Sequence, residues 1–326
     1  MQAIQISKFG EPSDVVEIVN VPEPDAPGPA DVAVTVEYAP INNTDLLMMR
    51  GRYGTLPTLP AGIGSEGVGR VTAIGSQVRG LAIGDRVPVR FGYTAWREQL
   101  VLPADGLFAL PARVDPRQLA MIAINPPTAV LLLSEFVALA PGDWVIQNAG
   151  NSGVGRSVIA AARQRGIKTV SLVRRPELID ELRAAGGDVV LLEGADLPAR
   201  VAAATGNARM SLALDGVGGD STLSLSTCLP FRGTLVMYST VSKKPGLASA
   251  VELVFRNITM RGFWLLYPEY SSGPKYTEAV KTSAALFAEG KLHLPVAASY
   301  RLDAIKDALA HAQRGGKVVL EIQGSR

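Results

Sequence analysis

Apolar and polar positions follow two different rhythms along this chain. Up to about residue 120, runs such as DVAVTVEYAP and GRVTAIGSQV alternate at the period of a strand and are broken by glycine and proline. MQAIQISKFG opens as a strand, GLAIGDRVPV reads as a turn and a strand, and GYTAWREQLVLP as a turn leading into another strand. Long helical periodicity is absent there, which predicts a compact all-β domain. The rhythm changes near Asn125. From Trp144 to Gly262 six short apolar strands follow one another: WVIQNA (144–149), KTVSLV (168–173), DVVLLE (188–193), SLALDG (211–216), GTLVMY (233–238) and NITMRG (257–262). Helical segments such as GRSVIAAARQRG and PELIDELRAAGG lie between them. Strands joined by helical crossovers predict an α/β fold with a doubly wound parallel sheet. After Phe263 come an amphipathic helix, KYTEAVKTSAALFAEGKL, a second helix stopped by glycine, LDAIKDALAHAQRGG, and a last strand, KVVLEI. The expected division is 1–124, 125–265, and a segment 266–326 that returns to the first domain.

Composition narrows the class. The 326 residues, 47% hydrophobic and 19% charged, suit a two-domain soluble protein. A formal net charge of +2 gives no electrostatic reason to expect a nucleic acid or an anionic membrane as partner. No apolar run reaches the ~18 residues of a membrane span, and the N-terminus lacks the apolar core of a signal peptide. Cys228 is the only cysteine, so no intramolecular disulfide can form, which fits a cytoplasmic location. In TCLPF it reads as a buried apolar residue. Of the two histidines, His311 falls in the last turns of a helix and His293 reads as surface.

The sharpest chemical signal follows the first strand of the alternating region. Gly150, Asn151, Ser152, Gly153, Val154 and Gly155 separate that strand from an alanine-rich helix. Glycines allow a tight turn and close approach of backbone to a pyrophosphate, which a helix N-terminus then receives. Ser152 stands where the second glycine usually falls. The end of the second strand selects the dinucleotide. An acidic residue there would accept from a ribose 2′-hydroxyl, whereas this chain places Arg174 and Arg175, whose guanidiniums suit a 2′-phosphate. The expected cofactor is NADP(H). Glu177, two residues on, leaves a ribose contact open, and solvated surface arginines are the plain alternative.

These residues resemble the medium-chain dehydrogenase/reductase superfamily over essentially the whole chain. Its zinc alcohol dehydrogenases carry a cysteine before a Ser/Thr-Asp pair, and a Gly-His-Glu. The corresponding stretches here are Ile41-Asn42-Asn43-Thr44-Asp45 and Gly64-Ser65-Glu66-Gly67, with asparagine for the cysteine and serine for the histidine. A catalytic zinc needs three protein ligands, so no metal is expected. Asn42-Asn43-Thr44-Asp45, Met49-Arg50-Gly51-Arg52-Tyr53-Gly54-Thr55-Leu56-Pro57, Asn125-Pro126-Pro127-Thr128-Ala129, Gln147 to Gly155, and Arg261 to Leu265 are similar to mitochondrial-type 2-enoyl thioester reductases.

The resemblance implies a Rossmann-type sheet joined to a GroES-like, mostly-β catalytic domain, and it distributes roles. Tyr53 would be the proton donor. Asn125 would bond near the nicotinamide, and Asn151 to Val154 would cradle the pyrophosphate. Tyr238, Ser239, Thr240 and Val241, with Phe263, Trp264 and Leu265, would line the nicotinamide half. Lys317 would contact a cofactor phosphate. Asn42, Asn43 and Trp264 would face the substrate cleft. The family's Arg-Asp-Arg is Arg174-Arg175-Pro176 here, and its Tyr-Gly-Gly-Met is Tyr238-Ser239-Thr240-Val241. The partners implied are a small acyl thioester, on coenzyme A or acyl carrier protein, and a second copy of the chain.

Bland readings stand beside these. Tyr53 can be a loop aromatic, Trp264 a packing residue and Lys317 a turn lysine, while Asn42 and Asn43 can satisfy buried backbone groups. The chemistry also leaves three activities open: an NADPH-dependent 2-enoyl thioester reductase of fatty acid metabolism, a zinc-free quinone oxidoreductase, and an NADPH-binding protein without turnover.

Overall fold

A computed structural model describes residues 1–322. The chain forms two units, one of Met1–Ile124 together with the chain from Leu294 onward, the other of Asn125–His293.

The first unit is organised by the long strand Asp31–Ile41, where Val32, Val34 and Val36 alternate inward. It pairs antiparallel with Gly67–Ile74, with Gln99–Pro103 and with Lys317–Glu321. The last of these lies between it and the parallel strand Val296–Arg301, so strands from before residue 104 and from after residue 294 build one sheet. Ile4, Ile6, Met49 and Trp96 share a core with Leu309, Val318 and Leu320. Trp96 is fully buried, and its indole N–H donates to the Pro40 carbonyl at 3.3 Å. The unit is not all-β. Asn43–Met49 is helical, a run of seven residues that is too short to display helical periodicity among neighbouring strands. Its first turn is fixed by Asp45, whose Oδ2 accepts from the Asn42 N–H at 2.7 Å.

The second unit is a six-stranded parallel sheet. Its order is Val189–Leu192, Lys168–Val173, Trp144–Gln147, Met210–Asp215, Thr234–Met237, Thr259–Gly262. The chain reverses direction across the sheet between Trp144–Gln147 and Met210–Asp215, and such switch points hold ligands at the carboxyl ends of the strands. All six strands fall where the apolar runs predict them. Five of the six residues of Lys168–Val173 are buried, as expected of a strand covered on both faces.

The C-terminal division differs from the sequence reading of 266–326. Helix Gly273–Ala288 stays with the second unit, because its apolar face, including Tyr276, Val280 and Phe287, packs on helix Asn125–Ser134. The chain re-enters the first unit at Leu294, whose backbone N–H and C=O are both held by the buried Gln118 amide at 2.8 and 2.9 Å. Among the described residues no helix is long and apolar enough to cross a membrane.

Candidate active site

The glycine turn follows strand Trp144–Gln147 and leads into helix Gly153–Gln164. Three of its glycines stand in close quarters, Gly155 against backbone. A Cβ on Gly155 would lie 2.5 Å from the Ala149 carbonyl oxygen, one on Gly150 2.9 Å from the Ser171 Cβ, and one on Gly153 2.7 Å from the Asn125 amide nitrogen. Asn125 is therefore seated against the turn. Ser152 caps the helix, its Oγ accepting from the Gly155 N–H at 3.0 Å. The Asn151 carbonyl accepts from the Arg156 Nε at 3.2 Å. The turn thus presents the tip of a twelve-residue helix to a small cleft lined by Ala149, Asn151, Arg174, Glu193 and Val241. Backbone cradle, helix N-terminus and guanidinium together fit a phosphorylated dinucleotide.

The two arginines separate in this setting. Arg174 lines the cleft. Arg175 and Glu177 are both solvent-exposed and pair loosely with each other at 3.6 Å, so Glu177 is engaged away from it.

A polar knot that the sequence reading missed sits at the switch point. Asp215, fully buried, accepts from the Asn148 Nδ2 at 2.6 Å, the Thr222 hydroxyl at 2.6 Å, and the N–H groups of Val217 and Gly218 at 2.8 and 3.0 Å. Asn148 Oδ1 accepts in turn from the Gly216 N–H at 2.8 Å. The carboxylate so satisfied fixes the loop after its strand. An asparagine and an aspartate ending two apolar strands were the available signal. Tyr238 closes over this loop, its hydroxyl in the space where a Gly216 Cβ would lie 2.5 Å away. Burial raises the pKa of that phenol well above the ordinary tyrosine value.

Of the segments expected to line the nicotinamide half, Thr240 and Val241 are exposed, and Val241 and Ser242 border the cleft. Ser239 is half-buried. The Phe263 ring lies in an aromatic cluster, 5.1 Å from Tyr270 and edge-on to Phe136 at 6.1 Å. Leu265 is also buried, and Trp264 stacks edge-on to Tyr267 at 5.7 Å.

The first unit holds a second polar cluster. Asn42 donates to Glu66 Oε1 at 2.9 Å and lies 3.4 Å from the Ser65 hydroxyl. Asp45 Oδ1 accepts from the Ser65 N–H at 2.8 Å. The second Glu66 oxygen accepts from the N–H groups of Ala123 and Ile124 at 2.9 and 3.0 Å. Lys317 departs from the expected phosphate contact, because its ammonium donates to Asn42 Oδ1 at 2.6 Å beside two carboxylates. Burial pushes Glu66 up to about 7 and Asp45 up to about 6, each opposed by the Lys317 charge. Burial likewise lowers the Lys317 pKa, against the pull of Glu66 and Asp45. Asn42 and Ser65, standing where zinc dehydrogenases have ligands, offer an amide and a hydroxyl around a built-in ammonium, a donor set unsuited to zinc. Among the described residues no three of histidine, cysteine, aspartate and glutamate gather as a metal site. Asn43 is exposed. Tyr53 lies in the loop after helix Asn43–Met49, half-buried, its ring 6.1 Å from that of Phe91.

The Alcohol dehydrogenase GroES-like domain family matches residues 28–112, and the Zinc-binding dehydrogenase family matches 153–281. Human mitochondrial enoyl-[acyl-carrier-protein] reductase is 37% identical over 326 residues, covering 95% of this chain and 84% of its own. The chain belongs to the enoyl thioester reductases of the medium-chain dehydrogenase/reductase superfamily. The Dictyostelium discoideum enzyme of the same name is 35% identical, over 99% of this chain and 95% of its own. Among solved structures, the mitochondrial 2-enoyl thioester reductase Etr1p/Etr2p heterodimer of Candida tropicalis has a TM-score of 0.87 at 26% identity, over 98% of this chain and 99% of that one. The Etr1p/NADP/crotonyl-CoA complex has a TM-score of 0.86 at 26% identity, with the same coverage. A NADPH:quinone reductase described from Bacillus thuringiensis has a TM-score of 0.88 at 26% identity, over 99% of both chains.

Proposed function

We propose that this protein is an NADPH-dependent reductase of the carbon–carbon double bond of 2-enoyl thioesters, carried on coenzyme A or acyl carrier protein. The observation that carries the reading is the 37% identity over 95% of the chain to an enoyl-[acyl-carrier-protein] reductase. The site's chemistry agrees with it. Gly150 to Gly155 and the helix behind them would hold the pyrophosphate, and Arg174 the 2′-phosphate. When bound, NADPH supplies a hydride for the substrate β-carbon. Negative charge then develops on the thioester oxygen, and a proton must reach the α-carbon. Tyr53 is the acid we assign to that proton. A phenol of pKa about 10 can donate to a basic enolate when held within hydrogen-bond reach. Such a reaction asks for neither zinc nor an imidazole. Alcohol oxidation, which must remove a hydroxyl proton, would be poorly served.

The likeness to a quinone reductase supports a second reading, reduction of a small quinone at the same cofactor site. A third, NADPH binding without turnover, has only the loop placement of Tyr53 in its favour. We also propose a homodimer, supported by the outermost strand Thr259–Gly262 and the exposed helix Ala250–Phe255 before it.

Crotonyl-CoA and a small quinone, each assayed with NADPH and NADH, separate these readings. The expected result is crotonyl-CoA reduction with a clear preference for NADPH, and a loss on the order of 10²-fold in kcat for Tyr53→Phe. Quinone turnover without crotonyl-CoA turnover overturns the reading. Cofactor binding with no hydride transfer to either leaves the third.

A further inference from the structure

Glu66 takes no part in the chemistry above, yet it is fully buried and bonds both the Asn42 amide and the segment that leads into Asn125. One oxygen takes the Asn42 amide, whose own oxygen holds the Lys317 ammonium. The other takes the two backbone N–H groups of Ala123 and Ile124, the last residues before the chain enters the second unit at Asn125. Asn125 is the residue packed against Gly153 of the glycine turn. We propose that Glu66 is a positioning residue of the reaction: one carboxylate fixes both the Asn42–Lys317 pair and the exit of the chain toward Asn125. The proposal deepens the reductase reading and rests on it, since Asn125 has a cofactor role only there.

The bonding demands a carboxylate. All three groups facing Glu66 are N–H donors, so both of its oxygens must accept. Glutamine preserves the shape but has one acceptor. With its oxygen toward Ala123 and Ile124, its NH2 meets the Asn42 NH2. Asn42 must then turn its own NH2 toward the Lys317 ammonium, and that bond is lost. With the amide reversed, the NH2 confronts two backbone N–H groups. Either way one arm of the arrangement is released.

The test compares wild type, Glu66→Gln, Lys317→Met and the double variant. Three properties are read: hydrogen exchange at the Ala123 and Ile124 amides, NADPH affinity by fluorescence titration, and kcat with crotonyl-CoA per NADPH-binding site. For Glu66→Gln we expect faster exchange at both amides and weaker NADPH binding. The expected loss of kcat is on the order of ten- to a hundredfold, as misplacement of reacting groups produces. We also expect the kcat loss to be less than additive with that of Lys317→Met. A merely structural glutamate would lower Tm while leaving per-site kcat and NADPH affinity within twofold of wild type, and that result overturns the proposal. If Glu66→Gln does not fold, Asn42→Ala breaks the same chain of contacts; unchanged per-site kcat and affinity in that variant overturn it equally. A wild-type protein that binds NADPH but ignores crotonyl-CoA refutes the reductase reading instead, and amide exchange with NADPH affinity still decides the role of Glu66.

Discussion

Glu66 is placed under two opposing demands. Its hydrogen bonds call for the charged form, while burial favours the neutral one and pushes the carboxyl up to about 7. A folded-state pKa above the unfolded value means that the native state keeps a proton which the unfolded chain releases. The stability this group contributes is therefore greatest below about pH 4.5 and is lost as pH rises through 7. Asp45 leans the same way, and Lys317 opposes both. Denaturant unfolding at pH 5 and pH 8 checks this. Wild type should lose on the order of 1–3 kcal/mol more than Glu66→Gln across that interval; equal losses would mean that Glu66 is already charged at pH 5. At this scale the sequence was legible where chemistry is local. The glycine turn and Arg174 lie within one strand–helix–strand stretch. The contacts of Glu66 with Ala123 and of Asn148 with Asp215 span 57 and 67 positions, and only the fold brings those partners together.

Among elements, the turn at the tip of helix Gly153–Gln164 has the least tolerance. Gly155 sits against the Ala149 and Gly150 carbonyl oxygens, 2.5 and 2.6 Å from any added Cβ. Gly155→Ala must therefore push helix and turn apart. NADPH affinity is expected to fall at least tenfold, about 1.4 kcal/mol, with little change in the far-UV spectrum. Retained affinity would separate the turn from the cofactor. Ser152 illustrates a different point. In sequence it looks like a defect in the motif, whereas in the fold it is the helix cap. The central strands of the parallel sheet were readable because they are buried on both faces and so mostly apolar, as in Lys168–Val173 and Met210–Asp215. The helix Asn43–Met49 was not, because its short run reads like the alternating strands around it. Nor could periodicity say that Gly273–Ala288 packs on Asn125–Ser134, since an amphipathic face does not name its partner.

For the whole molecule, the proposed homodimer gives the exposed edge of the parallel sheet a use. Helix Ala250–Phe255 buries none of its residues and leaves Val254 69% and Phe255 75% exposed. Beside it, Thr259–Gly262 is the last strand of the sheet, with no neighbour on its outer side among the described residues. An apolar face next to an open strand edge invites pairing, and a two-fold axis closes the assembly. Val254→Glu is expected to weaken that association by about 1–3 kcal/mol. Light scattering across a micromolar dilution series should then show a monomer where wild type remains paired. A wild-type monomer throughout would remove the dimer.

The placement of strand Lys317–Glu321 beside Asp31–Ile41 also has a temporal consequence. A ribosome releases the early half of that pairing some 280 residues before its mate, as the two positions in the chain require. The cofactor-binding sheet, made of consecutive strands, has all its parts first. The nascent first sheet must wait with Tyr38–Ile41 of its longest strand unzipped on one side, and there a chaperone or a stray strand finds its opening.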